Sequence, residues 1–375
     1  MPMSSLTAAD RRQFTQDLLA WYRRHRRDLP WRGTGDPYRI WVSEVMLQQT
    51  QVATAQPYYE RFVAAYPTVH DLAAAPVDDV LKLWEGLGYY ARARNLHRAA
   101  QIVVDEYDGK LPPSRDELLN IPGIGPYTVG AILSIAFGRP EPALDGNVRR
   151  VMSRVLLIDD DPRRPRVERG ILDELRRLIS TDAPADFNQA LMELGATICV
   201  AKSPRCLICP VARYCRAQAV GRQSDLPVKR KRPSRPHHHV AVGFIWRDNQ
   251  LLISRRPSDG LLGGLWELPG GKQASDETLE DCLRREIAEE LGIDVAVDRH
   301  LVTVEHGYSH FSVTLHAFEC RWRSGEPRAL ATSDWAWVSY GQLRDYPLPR
   351  GTTKILDALA SDQERKEEER QDHLE

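Results

Sequence analysis

The chain has 375 residues, 42% of them apolar and 27% charged, and its formal net charge is −1. Such a chain has room for two or three domains with separate cores, and the composition excludes a disordered polymer, a disulfide scaffold and attraction to polyanions by global charge alone. No apolar run reaches the length of a membrane span, and Met1-Pro-Met-Ser-Ser lacks the charged and apolar stretches of a secretory signal, so the expected compartment is the cytoplasm.

From residue 6 to about 216 the apolar positions recur at helical spacing, as in Phe14-Leu18-Leu19-Trp21-Tyr22, Ile40-Val45-Met46 and Val80-Leu81-Leu83-Trp84. Basic residues gather at Arg23–Arg27, Arg92–Arg98 and Lys229–Arg232; each run reads equally as a solvated face or linker and as a contact for an anionic partner. Ser114-Arg-Asp-Glu117 has the form of a capping box ahead of Leu118-Leu119. Pro122-Gly-Ile-Gly then makes a tight turn, with Pro126 suited to the first turn of the next helix. Gly123 and Gly125 permit positive φ and a close backbone approach, and the N–H groups that follow can hold an anion. On DNA that anion is a phosphate; a turn with a purely structural role remains the other reading.

Four cysteines follow as Cys199-x6-Cys206-x2-Cys209-x5-Cys215. In a reducing compartment clustered cysteines favour a metal centre over disulfides. Zinc sites more often show two short Cys-x2-4-Cys pairs, whereas this spacing suits a [4Fe–4S] cluster. Lys202 and Arg205 are suited to phosphate contact. Cys282 and Cys320 stand apart and read as ordinary half-buried residues.

Residues 217 to 237 are Pro-rich, basic and weakly apolar, the composition of a linker. β-patterns come next. His239–Trp246 and Gln250–Ser254 flank the hairpin signal Arg247-Asp-Asn, a helix is expected from Thr278 to Leu291, and strands resume at 301–304, 312–318 and 335–338. The tail from 362 is charged and lacks core residues, so a frayed helix or disorder is expected there.

With Trp41-Val-Ser-Glu-Val-Met-Leu-Gln-Gln-Thr-Gln-Val52, the glycine hairpin, Leu144-Asp-Gly-Asn-Val148 and the cysteine run in view, residues from about 10 to 216 resemble the helix–hairpin–helix DNA glycosylases, and within them the MutY-type adenine DNA glycosylases. The resemblance implies that Glu44 is a general acid that protonates adenine N7, that Asp145 stays ionised and supports an oxocarbenium-like sugar, and that Tyr127 and Asn147 orient Asp145 and the sugar. Endonuclease III carries a lysine where this chain has Tyr127, so no amine nucleophile is available and a monofunctional glycosylase is implied. Taken alone, Glu44 would read as a solvated helix carboxylate and Asp145 as a helix N-cap. Gln49 and Tyr89 are implied to fill the duplex once the base is everted, with Leu47, Thr50 and Leu87 facing the opposite base; Tyr89 could instead be half of a packed Tyr pair. Trp31, Arg32 and Gln189 match positions around the adenine pocket, and Cys199, Cys206, Cys209 and Cys215 match the family's cluster ligands.

In the β half, Gly271-x5-Glu277-x7-Arg285-Glu286-Ile287-x-Glu289-Glu290-x-Gly292-Ile293 matches the Nudix signature at every fixed position. Glu286, Glu289 and Glu290 share one helix face at i, i+3 and i+4, a set suited to Mg²⁺ or Mn²⁺. In the MutY-type family this box is generally degraded, and the domain reads 8-oxoguanine. Here His306-Gly-Tyr-Ser-His310 resembles the family's Phe-Ser-His element, which implies that Tyr308, Ser309 and His310 contact the oxidised base; His310 could also be a cross-strand packing residue. The intact box leaves two readings open: recognition alone, or recognition with hydrolysis of an oxidised nucleotide.

The expected architecture is multidomain. An all-α helix–hairpin–helix glycosylase with an iron–sulfur module (1–216) joins through a linker (217–237) to an α/β Nudix-like 8-oxoguanine recognition domain (238–350) and a charged tail (351–375). The expected enzyme is a nucleoid-associated monomer that removes adenine opposite 8-oxoguanine or G in double-stranded DNA during base excision repair. A Nudix pyrophosphohydrolase with a helical DNA-binding module, a non-catalytic lesion binder and an endonuclease III-like lyase are the rival classes.

Overall fold

The computed structural model describes residues 6–228, 235–308 and 310–372. In chain order the described residues form α1 (Ala8–His25), α2 (Pro37–Leu47), α3 (Val52–Ala65), α4 (Val69–Ala74), α5 (Val77–Leu83), α6 (Ala91–Tyr107), α7 (Arg115–Asn120), α8 (Pro126–Ile135), α9 (Gly146–Val155), α10 (Pro165–Leu178), α11 (Pro184–Thr197) and α12 (Arg216–Ala219). Strands β1 (His237–Arg247), β2 (Gln250–Arg255), β3 (Trp266–Glu267) and β4 (Gly270–Lys272) come next, then α13 (Leu279–Leu291), β5 (Asp294–Gly307), β6 (Ser312–Ser324), β7 (Asp334–Val338) and α14 (Arg350–Asp372). No helix among the described residues is long and apolar enough to cross a membrane.

Two compact units result: Met1–Ala74 with Asn95–Arg232, and Ala75–Arg94 with Pro233–Glu375. In the first, α1, α9, α10 and α11 enclose a core that includes Phe14, Leu18, Tyr22, Val151, Met152, Leu175, Phe187 and Leu191. Their apolar residues fall on one stripe of each helix, which is what drives such helices together. Residues 217–228 depart from the expected linker. Ala217 and Leu226 are buried, and the Leu226 carbonyl accepts from the Arg154 guanidinium at 3.0 Å, so this stretch folds back onto the helices. Residues 229–234, the rest of that basic segment, lie outside the described residues.

The second unit is built on a mixed sheet of order β3-β2-β1-β6-β5, with β4 also paired to β1 and β7 to β2. The expected β1–β2 hairpin forms, with Arg247 opposite Gln250 and both Asp248 (φ 49°) and Asn249 (φ 63°) left-handed. That is the two-residue turn whose twist matches the strands, and Asn and Asp tolerate it. Helix α13 starts where Thr278 accepts from the Asp281 amide at 3.1 Å, and it covers one sheet face with Cys282, Leu283, Ile287 and Leu291. Cys282 and Cys320 are therefore fully buried rather than half-buried, packed between helix and sheet. On the other face, α14 contributes Ile355 and Leu356 to the core. The core thus continues past residue 350, where the sequence had placed the start of a tail, because these apolar residues recur on the inner side of a helix that begins at Arg350.

Candidate active site and cysteine cluster

Helix α2 begins with Pro37 after the Asp36 cap and buries Tyr38 and Ile40 to Met46. Glu44 is carried inward with them and is only 5% exposed. Its Oε2 accepts a hydrogen bond from the Tyr127 hydroxyl, delivered by the first turn of α8. Burial pushes the Glu44 carboxyl up to about 7; the Tyr127 hydrogen bond opposes this, Asp145 adds to it, and Arg32 opposes it. Burial also raises the Tyr127 hydroxyl, with the negative charge of Glu44 acting in the same direction.

Asp145 caps α9. Its Oδ1 accepts from the Val148 amide at 2.6 Å and its Oδ2 from the Asn147 side chain at 2.9 Å. Burial raises its pKa, and these donors hold it down. The cap and the site residue are one side chain. The Asn147 side chain thus donates to Asp145, whereas the Tyr127 hydroxyl donates to Glu44 rather than to Asp145.

Both carboxylates line a cavity of about 960 Å³. Trp31, Arg32, Leu47, Gln49, Thr50, Tyr127, Asn147 and Gln189 line it too, so ten of the positions singled out in the sequence converge on one space. Trp31 is buried, edge-on to Tyr59 at 5.3 Å between centroids. Gln49 sits at φ 59°, a backbone conformation that non-glycine residues rarely adopt. Arg32 and Arg27 both bind the buried Glu193, at 2.7 and 2.6 Å. Sequence reading missed Glu193, because nothing in its own helix points to arginines brought from more than 160 positions upstream.

The hairpin between α7 and α8 forms as expected, except at its start and in one glycine. Ser114 makes no side-chain cap bond, so the capping box is absent. Gly123 is left-handed at φ 81°, and a Cβ there would stand 2.9 Å from the Asn95 Cβ; Gly125 has φ −94°, open to any residue. Gly123 and Gly125 do not line the cavity. Leu87 and Tyr89 belong to the second unit. Tyr89 is 39% exposed while Tyr90 is buried.

Cys199, Cys206, Cys209 and Cys215 are free, half-buried thiols around one small void of about 20 Å³. Burial pushes Cys209 up to about 12 and raises Cys206 and Cys215, and the neighbouring sulfurs add to each shift. Among the described residues no three His, Cys, Asp or Glu side chains close on a single metal ion. Two arginines of α9 organise this loop. Arg154, 1% exposed, donates to the carbonyls of Cys199, Val200, Ala201 and Leu226 and to the Cys199 sulfur at 3.2 Å. Arg150 donates to the Cys199 carbonyl at 2.8 Å and to Asn147 Oδ1 at 2.8 Å, so hydrogen bonds run unbroken from the cysteine loop to Asp145.

In the second unit, Arg285 gathers the box. It bonds Glu277 at 2.7 and 3.0 Å, Glu286 at 2.9 Å and Glu289 at 3.2 Å. A Cβ on Gly271 would collide with the Glu286 carboxyl at 2.2 Å, which explains glycine at the head of the motif. Burial pushes Glu290 up to about 7, helped by Glu267 and Glu286, and its Oε2 is buried without a hydrogen-bond partner. Tyr308 is half-buried between His306 and Phe311, with centroids 4.6 and 4.7 Å away, and His310 is exposed rather than packed across strands. Ser309 lies outside the described residues.

Residues 42–177 match the HhH-GPD superfamily of base excision DNA repair proteins and residues 241–358 match the NUDIX domain. The adenine DNA glycosylase of Rattus norvegicus is 34% identical over 93% of this chain and 78% of its own length; that of Buchnera aphidicola is 30% identical over 92% and 97%. The chain belongs to the adenine DNA glycosylases. The helical part of this glycosylase also matches endonuclease III in a trapped covalent complex with DNA (27% identity, TM-score 0.50, covering 58% of this chain and 99% of that one).

Proposed function

We propose that Glu44 and Asp145 divide the chemistry of adenine removal between them. The glycosylase excises adenine from DNA in base excision repair. The base leaves the helix and enters the cavity, where Glu44 gives a proton to N7. The C1′–N9 bond then breaks with its electrons moving into the protonated base. Asp145 stays ionised, because the α9 amides and Asn147 bond its charged form, and it stabilises the sugar cation or bonds to it transiently until water adds at C1′. The observation that carries this reading is the contrast between the two carboxyls. One is buried against a neutral hydroxyl, with its pKa pushed up to about 7; the other, also raised by burial, is tied to the Val148 amide and the Asn147 side chain, donors that favour its charge. Glu44→Gln should keep DNA binding and lose excision in single-turnover assays. Retained excision would remove Glu44 as the acid.

With tyrosine at position 127 the enzyme makes no Schiff base. Borohydride should trap no covalent complex on an oxidised-pyrimidine duplex, and a trapped complex would restore the lyase reading. The substrate is double-stranded DNA pairing A with 8-oxoguanine or G. Tyr308, Ser309 and His310 read the oxidised base, Gln49 and Tyr89 fill the vacated stack, Leu47, Thr50 and Leu87 face the opposite base, and Gly123 and Gly125 present amides to a phosphate. Trp31, Arg32 and Gln189 surround the adenine. The protein acts as a cytoplasmic, nucleoid-associated monomer, with 1–216 as the excising part and 238–350 as the reading part. Relative rates on A opposite 8-oxoguanine, G and C test the pairing.

Cys199, Cys206, Cys209 and Cys215 suit a [4Fe–4S] cluster. They surround one void, and burial and the neighbouring sulfurs raise the thiol pKa of Cys206, Cys209 and Cys215, an effect that bonds to iron would offset. Bound, the cluster would cross-link the loop that presents Lys202 and Arg205 to DNA, and Arg154 would hold the first of its ligands in place. Iron and sulfide content of the purified enzyme and of Cys209→Ser tests this.

One observation favours a second activity. The Oε2 of Glu290 is buried without a hydrogen-bond partner beside Glu286, Glu267 and Arg256, although among the described residues no three carboxylates close on a single metal ion. Mg²⁺ or Mn²⁺ held by Glu286, Glu289 and Glu290 would support hydrolysis of an oxidised nucleoside triphosphate. Full-length Glu44→Gln enzyme with Mg²⁺ and 8-oxo-dGTP tests it; turnover no higher than in a Glu44→Gln/Glu290→Gln chain ends the reading.

A further inference from the structure

The segment that carries Tyr89 is built into the unit of the Nudix-like sheet rather than into the unit of Glu44. Two layers of bonding hold it. Within the segment, the Trp84 indole N–H donates to the Gly88 carbonyl at 3.1 Å, Arg92 donates to the same carbonyl at 3.0 Å, and the Arg92 guanidinium lies 5.3 Å from the Trp84 ring centre and 5.5 Å from that of Tyr89. These bonds stabilise a turn in which Tyr89 itself is left-handed at φ 51° and exposed. Such a backbone persists only where its surroundings over-determine it.

The second layer runs from this segment to the sheet. Arg255 on β2 pairs with Asp78 on α5. Lys82 donates to the Tyr346 carbonyl at 3.1 Å, the Tyr90 hydroxyl to the Leu348 carbonyl at 3.4 Å, and Arg94 to the Gly263 carbonyl. A Cβ added at Gly264 would stand 3.6 Å from Leu81 and 3.7 Å from Arg94. Four side chains, spread over a turn and the two helices beside it, reach three separate pieces of the β unit: β2, the turn at Gly263 and residues 346–348. None of them lines the adenine cavity.

We propose that Asp78, Lys82 and Arg94, with Arg255, are positioning residues for lesion discrimination: they fix the Tyr89 turn in register with the 8-oxoguanine-reading loop, so that wedge and reader move on DNA as one piece. This rests on the reading of Tyr89 as the intercalating residue and of 308–310 as the reader. The inner layer of bonds keeps the turn folded without the outer layer. Loosening the outer layer therefore costs the advantage conferred by 8-oxoguanine and leaves the basal reaction alone.

The test uses full-length enzyme and single-turnover excision on duplexes pairing A with 8-oxoguanine or with G. Asp78→Asn/Arg94→Met should lower the 8-oxoguanine-over-G rate ratio about fivefold or more, the size of a typical coupling between sites, with the A:G rate nearly unchanged. Asp78→Glu with Arg94 intact should keep the wild-type ratio. The loss should also vanish in a His310→Ala background, because a register with a disabled reader is worth nothing; additive losses would overturn the proposal. Equal losses on both duplexes, or a wild-type ratio in the double variant, would overturn it as well. Lys82→Met, which removes the bond to the Tyr346 carbonyl together with the ion pair to Glu85, repeats the measurement should the double variant not fold. Tyr89→Ser separates the two ideas: if it changes neither rate, the intercalation reading falls; if it slows excision while the outer-layer variants behave as wild type, the positioning role falls.

Discussion

Carboxylates gather in two places in this molecule, and their company differs. In the helical unit Glu44 meets a neutral hydroxyl, and Asp145 meets amides; among the described residues neither carboxylate has an ion-pair partner within 4.0 Å. In the Nudix-like unit a single guanidinium, Arg285, touches Glu277, Glu286 and Glu289 at once. A buried carboxyl left without a cation keeps its proton into the neutral range and can hand it on; one gripped by arginine is held ionised, as Glu277 is at about 2. The first arrangement suits proton transfer, and the second suits structure or a metal ion.

The sharpest way to break the comparison is to remove the proton. Glu44→Gln should lower single-turnover excision by about 10³-fold, within the range for loss of a general acid, while the affinity for the duplex holds. The same substitution should stabilise the fold. The folded-state value of Glu44 lies near 7 against an ordinary 4.5, so the folded protein binds more protons than the unfolded chain between those pH values. Stability from this group is full below pH 4.5 and is lost as pH rises through 7, by about 3 kcal/mol in total. Glu44→Gln should therefore melt higher than wild type at pH 8 and lose that advantage near pH 5. Equal melting at both pH values would mean that Glu44 is not buried as described.

Asp145→Asn comes next. Asparagine caps a helix as well as aspartate, so the melting temperature should hold, while loss of the anion beside the sugar should slow excision by about 10²-fold. A matching fall in stability would return Asp145 to the role of a cap alone. Tyr127→Phe should act more gently. Its hydroxyl bond favours the charged form of Glu44, so removing it moves the fall in rate with rising pH from about 7 to a higher pH. A midpoint unmoved or lowered would detach Tyr127 from Glu44.

Much of this contrast was legible in the chain before any coordinates. Glu44, Asp145 and Asn147 stood in motifs, and the β1–β2 turn and the start of α13 were written in local chemistry that acts over a few residues. What could not be read depends on contacts distant in sequence. Arg27 and Arg32 reach Glu193 across more than 160 positions, and Arg154 reaches Leu226 across 72. A linker-like composition at 217–228 conceals the buried Leu226, and a charged tail conceals Ile355 and Leu356, because composition averages over single anchoring side chains. The absent cap at Ser114 shows the converse, since a motif that fits the rule need not form its bonds.

The smallest expected effect probes the other side of the comparison. If the box is only a salt-bridge network, Mg²⁺ should leave the melting temperature of the enzyme unchanged, because Arg285 already occupies Glu277, Glu286 and Glu289. If Glu286, Glu289 and Glu290 hold a cation, then Mg²⁺ at ten times its dissociation constant should stabilise the fold by about 1.4 kcal/mol. Glu290→Gln should abolish that response. The substitution also separates charge from packing: Glu290 is raised to about 7 by burial and by its acidic neighbours, so at pH 8 the neutral amide should stabilise the cation-free fold, whereas at pH 5 it should be silent. A Mg²⁺ response that survives in Glu290→Gln would place the cation elsewhere and leave the box to Arg285.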